Sequence, residues 1–97
     1  MANLPIHRSP QSERDLLGIW SYIGKDSPRA ATAMLRKIDQ KVALLADHPF
    51  AGEAQSEFGE SMRRIVVGPY LVFYEVTAEE VRVMRVFHSA QKWEDLL

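Results

Sequence analysis

The fold of this chain is decided by residues 62–76, MRRIVVGPYLVFYEV, and residues 81–88, VRVMRVFH. Both stretches are rich in β-branched and aromatic side chains, which favour strands. The dipeptide Gly68-Pro69 interrupts the first stretch as a turn, and the polar residues 77–80 separate it from the second. The pattern predicts three strands in hairpin succession, which form an antiparallel meander.

The residues before the meander predict a pair of helices. Ser9-Pro10 places a side-chain acceptor at the N-cap and a proline at the first helical position, and Ser27-Pro28 repeats this signal. Apolar residues at spacings of three and four follow each start, as on one stripe of a helix. We expect the first helix to end at Gly24 and the second to run from Pro28 to Ala46.

These elements predict an α+β fold in the order β-α-α-β-β-β, with a helical hairpin packed on a small antiparallel sheet. The first strand is expected at about residues 6–8. Residues 47–60 carry four acids and no Lys or Arg, together with Pro49, Gly52 and Gly59, and this segment is interpreted as a loop.

Composition limits the possible functions. The chain has 97 residues, a net charge of −1 and no cysteine. We expect one domain over residues 1–97, with cytoplasmic localisation because no signal peptide and no apolar run of roughly 20 residues are present. The charge argues against direct nucleic-acid binding. His7, His48 and His88 are too scattered for a metal site, so no metal and no cofactor are expected.

The last strand carries apolar residues at alternate positions on both of its faces. Val83 and Phe87 point one way and Met84 and Val86 the other, with Arg85 among them. A sheet that packs helices on one face and still shows apolar residues on the other is expected to be covered by another molecule.

Several motifs in this order resemble the ParE/RelE superfamily of toxins from bacterial toxin–antitoxin pairs, and the ParE branch in particular. The resemblance spans nearly the whole chain. The motifs are Asp15-Leu16 with Ile19 and Tyr22-Ile23, Ser27-Pro28-Arg29-Ala30-Ala31, Leu45 with His48-Pro49 and Gly52, Arg63-Arg64, Tyr70-Leu71-Val72-Phe73-Tyr74, and Arg85-Val86-Phe87-His88.

The resemblance implies one of three functions. ParE-like members poison DNA gyrase and have no established chemistry, whereas RelE-like members cut ribosome-bound messenger RNA with clustered basic residues. RelE-like chains usually carry a basic residue before and after the turn tyrosine, where this chain has Val66 and Leu71. The gyrase poison is therefore favoured, without intrinsic catalysis. A ribonuclease using Arg64, Arg85 and His88, or an inactive antitoxin-binding module, are the alternatives.

The resemblance also implies a hetero-oligomer with an antitoxin. The hypothesis is that the antitoxin docks on apolar anchors and on two arginines, which otherwise could pair with Glu75. The apolar anchors are Leu16, Trp20, Met34, Phe73 and Phe87, and the arginines are Arg64 and Arg85. Trp93, in the C-terminal tail, is the candidate contact to the target, and no membrane partner is expected.

Overall fold

The computed structural model describes residues 3–97. Two helices pack on a five-stranded sheet. The elements are β1 (Ile6–Arg8), α1 (Pro10–Gly24), α2 (Pro28–Ala43), β2 (Glu53–Ala54), β3 (Met62–Val67), β4 (Tyr70–Val76) and β5 (Val81–His88). The strand order is β1-β5-β4-β3-β2. This architecture confirms the α+β fold predicted from the sequence.

The sheet differs from the prediction in two respects. It is mixed, because β1 lies parallel to β5 while all other neighbours are antiparallel. The helical hairpin between β1 and the meander allows this, since it carries the chain back to the end of the sheet from which it left. The second difference is β2, which lies inside the segment interpreted as a loop and pairs Glu53 with Arg64.

Both helices begin where their Ser-Pro signals predict. The Ser9 hydroxyl accepts a hydrogen bond from the Ser12 N–H at 3.0 Å, and the Ser27 hydroxyl accepts one from the Ala30 N–H at 3.1 Å. These bonds satisfy backbone donors that have no partner within the helix. The α-helical part of α2 ends at Ala43, three residues earlier than predicted, and the chain continues as a 3₁₀ turn at Leu44–Ala46.

The main core lies between the helices and one face of the sheet. Leu16 of α1 and Ile38 and Val42 of α2 pack there against buried side chains of three strands. The strand residues are Val67, Tyr70, Val72, Val83 and Val86. Each fully buried aliphatic side chain of this kind stabilises the fold by about 1.5–3 kcal/mol. No helix within residues 3–97 is long and apolar enough to cross a bilayer.

The second face of the sheet is covered by the chain itself. Phe73 and Phe87 are buried there with Met62 and Leu71. The rings of Phe58 and Trp93 lie over them, with the Trp93 centroid 5.2 Å from that of Phe73 and 5.8 Å from that of Phe58. The expectation that another molecule would cover this face is therefore wrong, because the C-terminal segment and a short 3₁₀ turn at Ser56–Phe58 take that place.

Candidate protein-binding surfaces

Arg85, a residue of the hypothetical nuclease set, is held within the chain by three hydrogen bonds. Its Nε and Nη2 donate to the two carboxylate oxygens of Asp15 at 2.9 and 3.1 Å, and its Nη1 donates to the Leu96 carbonyl at 3.1 Å. The Asp15 carboxylate also accepts from the Val86 N–H at 2.9 Å. Bidentate pairs of this kind are strong and directional. The ion pair therefore fastens α1 to β5.

Arg64 has a carboxylate partner on β2. Its Nη2 donates to Glu53 at 2.6 Å, and its guanidinium lies 5.6 Å from the centre of the Trp93 ring. The alternative pairing of Arg64 and Arg85 with Glu75 is wrong. The strand register explains this, since Phe73 is the residue of β4 opposite both arginines.

His88 has one of its two ring nitrogens occupied. Its Nδ1 accepts a hydrogen bond from the Ala90 N–H at 3.0 Å. A neutral imidazole in this arrangement carries its proton on Nε2, so neither nitrogen has a free lone pair to act as a general base. His88 pairs with Tyr70, which faces the helices, whereas Arg85 pairs with Phe73, which faces the other way.

The three residues of the nuclease hypothesis do not converge on one point. Arg64 and Arg85 are separated by the whole width of β4, or about 10 Å at the usual strand spacing. RelE-like chains usually carry basic residues on either side of the turn tyrosine. Here those positions hold Val66 and Leu71, which pair with each other across β3 and β4. Arg85 and His88 line the same groove beside α1, whereas Arg64 lies outside it, so the three residues do not form one site.

The apolar residues proposed as antitoxin anchors fall into two groups. Leu16, Phe73 and Phe87 are buried in the two cores, so contact with a partner would require the side chains over them to move. Trp20 and Met34 are only partly covered, and the Trp20 Nε1 donates to the Thr32 hydroxyl at 3.3 Å. For all five residues, the role of antitoxin anchor stays a prediction.

Two loop-facing residues of β3 and β4 fix the segment that carries β2. The Tyr74 hydroxyl accepts from the Gly52 N–H at 2.9 Å and donates to the Pro49 carbonyl at 2.8 Å, while Arg63 Nη1 donates to the Gly52 carbonyl at 2.7 Å. Burial raises the pKa of Tyr74, although the bond from Gly52 and the positive charge of Arg63 act in the opposite direction. This network holds β2 against only the first half of β3.

The edge of β3 beyond β2 borders an apolar groove. None of the site residues predicted from the sequence lines it. Val66 and Leu44 are 57 % and 60 % exposed there, and Lys37 and Lys41 stand beside them on α2. The groove has a volume of about 470 Å³. The adjacent pair Leu44-Leu45 was the sequence signal for this groove, because neighbouring residues of a helical turn point in different directions and only Leu45 faces the core.

A second groove runs along α1 beside the last residues of β5. It has a volume of about 590 Å³, and Gly18, Tyr22, Tyr70 and His88 lie along it. No group of three potential metal ligands is present within residues 3–97. The polar side chains that line the two grooves include Lys37 and Lys41 in the first and Arg14, Tyr70 and His88 in the second.

The chain is similar to known toxins over most of its length. Residues 6–93 match the family model described as the ParE toxin of the type II toxin–antitoxin system, parDE. The putative toxin Y4kP of Sinorhizobium fredii is 33 % identical over 86 residues, which cover 87 % of this chain and 86 % of that protein. Toxin ParE1 of Caulobacter vibrioides is 28 % identical over 89 % of this chain and 90 % of its own length. Toxin RelE2 of the same organism is 32 % identical over 79 % and 85 %.

Solved structures agree with this assignment at the level of the fold. A chain of the chromosomal ParDE toxin–antitoxin system from P. aeruginosa superposes with a TM-score of 0.76 at 17 % identity, covering 91 % of this chain and 98 % of that one. The conserved hypothetical protein HP0894 of Helicobacter pylori superposes with a TM-score of 0.58 at 19 % identity, covering 91 % and 97 %. From the family match and the identity to Y4kP, the chain belongs to the ParE toxins of type II toxin–antitoxin systems.

Proposed function

We propose that this toxin acts by binding DNA gyrase, and that an antitoxin encoded with it neutralises it by direct binding. The observation that carries the proposal is the state of Arg64, Arg85 and His88. Both arginines are paired with carboxylates of the chain, and the imidazole presents no free lone pair. General acid–base cleavage of RNA needs such groups free and convergent.

A ribosome-dependent ribonuclease is the second candidate. It is favoured by the 32 % identity to Toxin RelE2, which is close to the 33 % identity to Y4kP. Sequence similarity of this size supports the family and does not separate its branches. The three candidate nuclease residues are already engaged in hydrogen bonds within the chain, and this favours gyrase over messenger RNA as the target.

The open part of the β3 edge supports a docking site for the antitoxin. Val67 and Tyr70 flank the two-residue turn Gly68-Pro69, where Gly68 takes the positive φ of +56° that such turns require. The backbone groups of Val67 then point to β4, and those of Val66 point away from it. The Val66 N–H and C=O have no hydrogen-bond partner within residues 3–97. An extended segment of the antitoxin could add there as a strand.

The charges beside this edge favour an acidic antitoxin segment. Lys37 and Lys41 lie one helical turn apart on α2 and line the same groove as Val66. Neither lysine has a carboxylate within ion-pair distance among the residues that the structure describes. A strand with carboxylates on one side and apolar residues on the other would complement both the lysines and Leu44.

The target is tested with the purified protein in two assays run side by side. A gyrase poison blocks ATP-dependent supercoiling by gyrase and leaves ribosome-bound messenger RNA intact. The opposite result would be RNA cleavage with supercoiling unaffected, and loss of that cleavage in the His88→Ala variant. It would contradict the proposal and establish the ribonuclease. Inactivity in both assays, together with normal growth on expression, would instead establish an inactive antitoxin-binding module.

The docking site is tested by reversing its charge. Lys37→Glu combined with Lys41→Glu should weaken the complex with the antitoxin from the neighbouring reading frame by about tenfold or more. Lys25→Glu combined with Arg29→Glu is the matched control, because it changes the net charge equally at exposed positions outside the groove. Equal weakening by the two double variants would show that only overall charge matters, and the proposed edge would then be wrong.

A further inference from the structure

The groove along α1 contains a tyrosine hydroxyl that has no hydrogen-bond partner in the described part of the chain. Tyr70 is only 4 % exposed and lines this groove. Its hydroxyl makes no hydrogen bond within residues 3–97, whereas the equally buried Tyr74 both donates and accepts.

The Tyr70 hydroxyl opens into the groove instead of being sealed in the core. Side-chain polar atoms that are fully sealed from solvent all have partners in the described part of the chain. Gly18 leaves space nearby, since a Cβ at that position would meet no other heavy atom within 4 Å. The hydroxyl is therefore accessible to a ligand that enters from solvent.

The other free polar groups of the groove are also donors. The Nε2–H of His88 is left free when Nδ1 accepts from Ala90, and the His88 ring lies 5.3 Å from that of Tyr70. Burial raises the pKa of Tyr70, and the proximity of Tyr22 raises it further, so the phenol keeps its proton at neutral pH and can donate it in a hydrogen bond. Both rings line the groove, and each carries a hydrogen-bond donor.

The charge of the groove is positive because its carboxylate is already used. Asp15 is neutralised by Arg85 and by the Val86 N–H. Within residues 3–97, the only side-chain partner of Arg14 is the uncharged Gln11, at 3.1 Å. A single free cation with neutral donors suits a carboxylate, whereas phosphate groups are usually bound by several cations or by bidentate arginines.

We propose that this groove binds an acidic side chain of a protein partner, with the Tyr70 hydroxyl and the His88 Nε2–H as donors to the carboxylate. Ile19 and Leu96 form apolar walls for the residues that flank it. The groove follows α1 from Arg14 to Tyr22, about 12 Å at the usual helical rise, so it fits a length of polypeptide. The inference rests on the proposed function in one respect, since the antitoxin is the partner that would supply this segment.

The test is a nuclear magnetic resonance titration of the full chain with the blocked peptide acetyl-Ala-Leu-Glu-Leu-Ala-amide. Binding should shift the backbone amides of Ile19, Val86 and His88. The counterpart peptide with Gln in place of Glu should bind about tenfold more weakly, because hydrogen bonds to a charged group are stronger than those to a neutral one.

Two variants place the peptide in the groove. Tyr70→Phe removes only a hydroxyl that bonds nothing in the free chain, and it should weaken the Glu peptide by about tenfold. Gly18→Trp should fill the groove and abolish the shifts. Ser21→Trp is its matched control, because Ser21 is an exposed residue of α1 outside the groove. If Gly18→Trp fails to fold, the Tyr70→Phe comparison decides the question alone.

The proposal is overturned by any of three results. These are no shift up to about 10 mM peptide, equal affinity for the Glu and Gln peptides, or unchanged binding by either Tyr70→Phe or a folded Gly18→Trp. If the Glu peptide does not bind while the antitoxin still neutralises the toxin, this site is rejected and the proposed function stays intact. Binding as expected by a protein that leaves supercoiling unaffected would support the site and reject the gyrase target.

Discussion

The two free edges of the sheet are treated in opposite ways. Beyond β1, the edge of β5 is closed by side chains: the Ser9 hydroxyl donates to the Met84 carbonyl at 2.8 Å, Asp15 accepts from the Val86 N–H, and Gln91 accepts from the His88 N–H at 2.8 Å. Beyond β2, the edge of β3 is left open at Val66. Open edges invite pairing with other chains, so proteins usually block them.

The difference supports the proposal that one edge serves the fold and the other a partner. At β5, Ser9 and Asp15 close the edge and also join α1 to the sheet, so closure and stability coincide. At β3, the two-residue β2 covers only part of the strand, and the remainder lies beside two lysines that have no ion-pair partner among residues 3–97. Four predictions would break or sharpen this contrast.

The largest effect is expected from Gly52→Ala, which removes the cover from the first half of β3. A Cβ at Gly52 would lie 2.5 Å from the Tyr74 hydroxyl and 2.8 Å from the Arg64 carbonyl. Overpacking and loss of the Gly52–Tyr74 hydrogen bond should together reduce the free energy of unfolding by about 3–4 kcal/mol. Urea denaturation followed by circular dichroism measures this change.

Gly18→Ala is the matched control for that substitution. Its methyl group would enter open space on a helix, so the same change should increase stability by about 0.5–1 kcal/mol. Destabilisation of similar size by both variants would mean that the close approach at Gly52 is not what holds β2 in place.

The second prediction concerns the closed edge. Asp15→Ala removes the partner of Arg85 and of the Val86 N–H, and the Asp15 and Arg85 side chains are only 12 % and 20 % exposed. We expect a loss of about 2–3 kcal/mol, less than for a fully buried pair. Asp39→Ala, which breaks the exposed pair with Arg8, should cost less than about 1 kcal/mol. Equal losses in the two variants would remove the distinction between a structural ion pair and a surface one.

A smaller effect is expected from alkaline pH. The pKa values of Tyr70 and Tyr74 are raised in the folded chain, chiefly by burial, so the unfolded chain loses these protons first as the pH rises above about 10. Stability should therefore be independent of these groups below that pH and fall above it. Thermal denaturation between neutral and alkaline pH measures the decline. Tyr70→Phe should make it shallower with little change at neutral pH, and an unchanged decline would contradict this assignment.

The smallest effect on stability is expected from Val66→Glu at the open edge. Val66 is mostly exposed, so the free energy of unfolding should change by less than about 0.5 kcal/mol. A carboxylate there should nevertheless repel the acidic antitoxin segment and oppose strand addition, and we expect antitoxin affinity to fall by about tenfold or more. Isothermal titration calorimetry measures the affinity. If the variant binds the antitoxin with wild-type affinity, the contrast between the two edges is refuted.

Local signals in the sequence were sufficient for most of the fold. Ser9-Pro10, Ser27-Pro28 and Gly24 define their helix ends by backbone chemistry that depends on few neighbours, and the structure has them as predicted. Strand β2 was missed because Glu53-Ala54 has no apolar pattern, and it depends on contacts with β3 and Tyr74.

The candidate sites were less predictable because they depend on contacts between distant residues. Arg85 meets Asp15 across 70 residues of sequence, and Trp93 reaches Phe73 by the path of a short tail. Periodicity indicates that a strand has two apolar faces, but it does not show which segment of the chain covers each one. The same limit hid Tyr70, whose position in the sequence resembles that of the fully bonded Tyr74.

The parallel pairing of β1 with β5 has a consequence for synthesis on the ribosome. β1 has its sheet neighbour 75 residues later in the chain, because Ile6 pairs with Val81. A nascent polypeptide must therefore extend past Val83 before β1 can join the sheet, and an aborted product that stops short of Val81 has no template for β1. We expect such fragments to remain unfolded.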